Sequence, residues 1–202
     1  TPIATGNTAD SINGTANGAG NGGIGGQNID PGEGIRLDYV IDLTGDPAGS
    51  PANYDGNLAQ RDHSFDRHDV VNGAILTFGQ GSGNTLIRLT ALEVADGPDN
   101  GAAPDPVLGT GALATVNRIV IEYDGEIETI TYDPGATYPV TLTVGSPGGL
   151  ADRSYTVNFI NSVGGRYAEV LGVLDTSVSI ATFAESGYNA LTVLNVSGSD
   201  FE

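Results

Sequence analysis

The residues of this chain with chemistry to offer are oxygen ligands gathered in loops. Glu93, Asp96, Asp99, Asn100 and Asp105 form one cluster. Glu93 closes an apolar, alternating run, and the others follow on a stretch bent by Gly97, Pro98 and Gly101. A second cluster is Asp38, Asp42, Asp46, Asp55 and Asn57, and a third is Asp62, Asp66 and Asp69. Carboxylates, amide oxygens and the carbonyls of glycine-rich turns are the hard ligands that Ca²⁺ takes. None of the clusters has the spacing of the helix–loop–helix calcium site or of the nonapeptide calcium roll. The bland reading of each is a solvated acidic loop. Together they point to one or more Ca²⁺ ions, structural and ligand-bridging.

The long polar connection that carries two of these clusters also carries contact residues. Tyr54, Arg61, His63, Phe65, Asp66 and Arg67 lie within it, and Tyr and Arg are favoured at recognition surfaces. Arg can fork onto a carboxylate, and Ca²⁺ can take a ligand oxygen directly. The alternative is that Tyr54 and Phe65 only anchor the loop to the core. His63 and His68 stand five apart, a poor spacing for a zinc or iron pair on one helical face. Glu122, Glu126 and Glu128 flank a turn, but a glycosidase needs two carboxylates at a set separation. There is no tryptophan to stack a sugar and no G-x-S-x-G elbow, so no enzyme is expected. The glycine-rich GNGGIGG has no strand before it and no helix after it, which removes a phosphate loop from consideration.

These residues have to be positioned by strands. The stretch NIDPGEGIRLDYVIDLTGD (28–46) starts on an Asp-Pro-Gly turn and then alternates. Ile35, Leu37, Tyr39, Ile41 and Leu43 share one face; Arg36, Asp38, Val40, Asp42 and Thr44 share the other. Such alternation marks a half-buried strand. Aspartate is a poor strand former, so the second face is read either as solvated or as the sheet-side half of an ion site. Further strands are expected at 73–80, 84–95, 115–123, 126–132, 138–144, 154–162, 167–174, 177–183 and 188–196. A hairpin is expected across Gly81-Ser82-Gly83 and another across Asp124-Gly125. No helical period runs through ten or more residues. The expected fold is all-β, a β-sandwich of jelly-roll type with about nine or ten strands and long Ca²⁺-binding loops. Residues 1–27, poor in large apolar side chains, are expected to be a flexible linker or edge segment, and 28–202 the domain.

Composition narrows the partners. The chain has 202 residues and a net charge of −18, with 7 basic residues, all arginine. Nucleic acids and anionic membranes need positive charge, so neither is expected as a partner. A divalent cation would relieve the self-repulsion. With no cysteine, thiolate metal sites and disulfides are excluded. No run is long enough to span a membrane. A lysine-free, cysteine-free chain rich in Asp, Asn, Gly and Thr suits an extracellular bacterial protein. It reads as a segment of a longer protein.

NIDPGEGIRLDYVIDLTGD, then LIRLTALEVADG, then LGVLDTSVSIATFAESGYNALTVLNVSGSDF resemble modules of very large bacterial RTX adhesins. The resemblance covers about residues 28–202. Its most specific part is the closing block, with Gly172-Val173, Asp175-Thr176, Gly187-Tyr188-Asn189, Ser197-Gly198 and Phe201. It implies type I secretion, retention at the outer membrane, a role in biofilm formation, and modules that are either Ca²⁺-rigidified extenders or ligand-binding domains. By length and by its long acidic loop the chain is most similar to the ligand-binding kind, the peptide-binding type being nearest. The expected partner is a peptide or glycan on another cell, besides adjacent adhesin domains, with the isolated domain a monomer.

Overall fold

The alternating runs become strands, and none of the described residues is helical. The computed structural model describes residues 28–41, 67–79, 81, 83–95 and 111–201, with the strand backbone of 2–5, 11–14, 22–24 and 53–55. In chain order the strands are β1 (Pro2–Thr5), β2 (Ser11–Gly14), β3 (Gly22–Ile24), β4 (Gly34–Asp38), β5 (Val40–Ile41) and β6 (Asn53–Asp55). Next come β7 (Arg67–His68), β8 (Val71–Thr77), β9 (Asn84–Glu93), β10 (Ala112–Leu113), β11 (Val116–Tyr123) and β12 (Glu126–Thr131). The last are β13 (Val140–Val144), β14 (Arg153–Ser162), β15 (Gly165–Val173), β16 (Val178–Tyr188) and β17 (Ala190–Gly198).

Two antiparallel sheets pack together. The larger runs β1-β4-β17-β9-β15-β14-β13, with β10 extending the β9 edge beyond β15; the smaller runs β12-β11-β16-β8. Their facing side chains form one core. Ile119, Ile121 and Tyr123 of β11 and Val178 and Ile180 of β16 meet Ile87 and Leu89 of β9, Val157 and Phe159 of β14, and Leu191 and Val193 of β17. Burying one such side chain is worth about 1.5–3 kcal/mol. This is the arrangement of a β-sandwich. The two sheets hold eight and four strands, more than the nine or ten expected. The difference comes partly from the two-residue β10 and from β1, which pairs with β4 out of the glycine-rich N-terminal tract. In the same tract β2 and β3 form a three-stranded sheet with β6.

The two expected hairpins have different outcomes. Asp124 (φ 50) and Gly125 (φ 87) turn β11 directly into β12, with Tyr123 opposite Glu126. Two successive residues at positive φ make the tight turn whose twist suits a hairpin. The hairpin across Gly81-Ser82-Gly83 is not formed. β8 pairs with β16 in the smaller sheet, while β9 lies between β17 and β15 in the larger one. The connection crosses the sandwich because both arms carry core residues, Leu76 on one and Ile87 and Leu89 on the other. The glycine there answers a close approach. A Cβ on Gly81 would lie 1.6 Å from the Leu174 carbonyl oxygen.

At the end of the sandwich where β4 begins, Ile29 and Phe201 bridge each other and Phe201 packs edge-on against Phe78. Asn28 donates from its side chain to Asp200. Nearby, Arg153 Nη2 donates to Asp175 Oδ2 at 2.6 Å, and the backbone N–H of Ser177 donates to Oδ1 at 3.0 Å. Chiefly through Arg153, the Asp175 carboxyl is held down at about 2 from its ordinary 3.8. A depressed carboxyl stabilises the fold above its ordinary pKa. That contribution fades as pH falls through about 4 toward 2.

Candidate functional site

β4 sets the geometry of the opposite end. Its register places Ile35 beside Val193 and Leu37 beside Leu191, on the core side. Arg36 beside Thr192 and Asp38 beside Ala190 therefore point to the outer side of the larger sheet. The reading of that face as solvated is overturned, since the side chains of Arg36 and Asp38 are only 1% and 7% exposed. The aspartate is tolerated on a strand because a guanidinium neutralises it. Arg36 Nε and Nη2 donate to Asp38 Oδ1 at 3.0 and 2.5 Å. His68 Nε2 lies 3.4 Å from the same oxygen.

His68 arrives there because the expected long strand is interrupted at Tyr39. β5 resumes at Val40 and pairs with β7, Val40 opposite His68 and Ile41 opposite Arg67. The Asp69 N–H closes the junction by donating to the Tyr39 carbonyl at 2.8 Å. The Tyr39 ring meets Tyr188 edge-on at 5.9 Å. Burial, and secondarily the Asp38 charge, push the Tyr39 hydroxyl up to about 12. Burial likewise raises Tyr188, whose hydroxyl donates to the Thr182 carbonyl at 2.9 Å.

Asn189 joins this junction to the second acidic segment. Its backbone carbonyl accepts from the Tyr39 N–H at 2.9 Å, and its backbone N–H donates to Leu92 O at 3.0 Å. Its side chain clamps Val94 from both sides. The Val94 N–H donates to Oδ1 at 2.7 Å, and Nδ2 donates to the Val94 carbonyl at 2.8 Å. One row across the larger sheet thus reads Asp38, Ala190, Leu92, Leu113. Residues 42–66 link Ile41 to Arg67, and residues 96–110 link Ala95 to Gly111. Both acidic segments are rooted at the same end.

The residues singled out by sequence fall as follows. Asp38 is the buried partner of Arg36. Glu93 is exposed at the end of β9, opposite Ala112, and Arg67 and Asp69 are exposed beside the β5–β7 pair. Tyr54 and Asp55 lie on β6, opposite Ile12 and Ser11. Asp42, Asp46, Asn57, Asp62, Asp96, Asp99, Asn100 and Asp105 lie outside the described residues, as do Arg61, His63, Phe65 and Asp66. Among the described residues no three of His, Asp and Glu gather as a metal-binding group. Glu122 pairs with Ile127, whereas Glu126 and Glu128 pair with the core-facing Tyr123 and Ile121, so the register puts Glu122 on the opposite face from the other two.

Two features were not anticipated as functional. One is the bridging role of Asn189, whose only sequence signal was its place in the Gly187-Tyr188-Asn189 corner. The other is an open cleft of about 660 Å³ at the same end, lined by Tyr132, Arg166 and Glu185 among others. Comparison with family models, curated proteins and solved structures finds no match to this chain.

Proposed function

We propose that this chain is a Ca²⁺-dependent ligand-binding module of a large RTX adhesin, secreted by a type I system and held at the bacterial outer membrane. In this reading the sandwich is jelly-roll-like. Segments 42–66 and 96–110 take up Ca²⁺ through Asp42, Asp46, Asp55, Asn57 and Asp62, and through Glu93, Asp96, Asp99, Asn100 and Asp105. The fixed loops then present Tyr54, Arg61, His63, Phe65, Asp66 and Arg67 to a peptide or glycan on another cell, promoting biofilm formation.

The observation that carries the reading is the common root of the two acidic segments. Asp38, Ala190, Leu92 and Leu113 form one cross-sheet row, and Asn189 binds both Tyr39 and Val94. The two acidic segments, far apart in sequence, are thereby attached at one end of the sandwich. In a chain of net charge −18 they repel one another unless a cation joins them. Extracellular calcium modules bind at roughly 10⁻⁴–10⁻³ M, so millimolar calcium would fill such sites.

The test is to probe peptide and glycan arrays with the domain in millimolar Ca²⁺ and again in chelator. Saturable binding in calcium that is lost in chelator is the expected result. Competition by free sugar would assign the site to a lectin using Ca²⁺-bridged hydroxyls. No binding to either array would leave a structural extender and defeat the ligand-binding reading.

A further inference from the structure

We propose that the cleft beside Tyr132 is a binding site for a carboxylated sugar, a uronate residue, with Arg166 as the anchor for its carboxylate. The cleft is open, about 660 Å³, and formed where β11 and β15 begin and β12 and β16 end. Thr115, Asn117, Thr131, Glu185 and Ser186 line it together with Tyr132 and Arg166.

Arg166 is held in place before any ligand arrives. Nε donates to Asn161 Oδ1 at 2.8 Å, and Nη1 donates to the Val116 carbonyl at 3.4 Å. The guanidinium carbon lies 3.2 Å from the centroid of the Tyr132 ring. That ring in turn stacks with Tyr138 at 5.6 Å and meets Phe159 edge-on at 5.8 Å. A fork fixed in this way loses little freedom when it binds a carboxylate.

What sets Arg166 apart is that it is braced by neutral partners inside a cleft; Arg118, which also makes no ion pair among the described residues, lies exposed over Phe183. Arg36, Arg88 and Arg153 each pair with a carboxylate, Asp38, Glu169 and Asp175 respectively. Among the described residues Arg166 makes no ion pair, although Glu185 lines the same cleft and the chain carries a net charge of −18. A braced guanidinium with no acidic partner among the described residues is suited to an external anion.

The rest of the lining indicates what carries that anion. Four hydroxyl-bearing residues (Thr115, Thr131, Tyr132 and Ser186), one amide and one carboxylate line the cleft with Arg166, with no Val, Leu or Ile among them. The Tyr132 ring is already engaged by the guanidinium and by its aromatic neighbours. The lining sets hydrogen-bonding groups beside apolar carbon, which suits a sugar ring with hydroxyls at its edge and C–H groups on its faces. A uronate supplies both the hydroxyls and the carboxylate. None of the described residues that line this site belongs to the proposed calcium ligands, so its test runs in chelator.

The experiment is an amide NMR titration of the whole chain with sodium glucuronate, with glucose and glycine as comparisons. The expected result is saturable shifts at Thr115, Asn117 and Ser186 with glucuronate, and binding of glucose at least about fivefold weaker. Arg166→Gln should weaken glucuronate binding about tenfold or more, and Arg88→Gln, on the outer face of the larger sheet, should leave it unchanged. Glu185→Gln, at an exposed position, removes a like charge and should tighten glucuronate binding. Equal binding of glucose, or full binding by Arg166→Gln, would overturn the proposal. So would Glu185→Gln weakening glucuronate while glycine binds equally well, which would mark a zwitterion site. If Arg166→Gln does not fold, the direction of the Glu185→Gln effect decides.

Discussion

Arg36→Met is expected to destabilise the domain by about 3–5 kcal/mol, more than any other single surface-directed change at β4. The reason lies in where the charge sits. Arg36 and Asp38 face away from the main core, yet their side chains are 1% and 7% exposed. Truncating the guanidinium leaves the Asp38 carboxylate buried beside Tyr39, without its nearest counter-charge. Breaking a buried pair costs far more than the pair itself contributes, because desolvation of the remaining ion is no longer offset. The double variant Arg36→Met with Asp38→Leu should therefore recover most of the loss. Urea unfolding midpoints of the two single variants and the double variant measure this. A loss below about 1 kcal/mol for Arg36→Met would show that the pair is solvated in solution, as exposed pairs are worth that little.

Asn189→Ala is the second large effect, expected at about 2–4 kcal/mol. Both bonds of the side chain go to Val94 backbone groups, and both are buried. Alanine would strand a donor and an acceptor, each costing about 1–3 kcal/mol when left unpaired. Asn189→Asp separates bonding from volume. It keeps the shape and Oδ1 but turns the Nδ2 donor into an acceptor facing the Val94 carbonyl, so it should also be destabilising. In the alanine variant the Val94 amide should exchange with solvent markedly faster. An unchanged midpoint together with unchanged exchange at Val94 would remove Asn189 from the root of the second acidic segment. The Tyr39 N–H is accepted by the Asn189 backbone carbonyl, which alanine keeps, so the variant should loosen the second segment at Val94 while leaving the Tyr39 junction bonded.

Local signals carried the elements, and distant pairings carried the site. The β11–β12 hairpin was legible because Asp124-Gly125 is a turn dipeptide whose backbone needs are met locally. Gly81-Ser82-Gly83 offered the same kind of signal and misled. Which sheet each arm joins depends on pairing with β16, β17 and β15, all far along the chain. Alternation placed Asp38 on the correct face of β4. It did not reveal that the face is covered, because the groups beside Asp38 belong to Arg36 two residues away and to His68 on β7. Asn189 was visible as part of a glycine corner, but its bonds reach back 95 residues to Val94. Arg166 follows the Val163-Gly164 turn between β14 and β15, and nothing in its neighbourhood along the chain announces Tyr132 or Glu185.

The central claim is that cations join the acidic segments rooted at one end of this sandwich. Thermal unfolding in millimolar Ca²⁺ and in chelator tests it most directly. At about a hundred times Kd each site adds about 2.7 kcal/mol, which for a domain of this size raises the midpoint by about 5–10 °C. Asp96→Ala combined with Asp99→Ala should shrink that calcium-dependent shift while leaving the midpoint in chelator nearly unchanged. An identical midpoint with and without calcium would contradict the account.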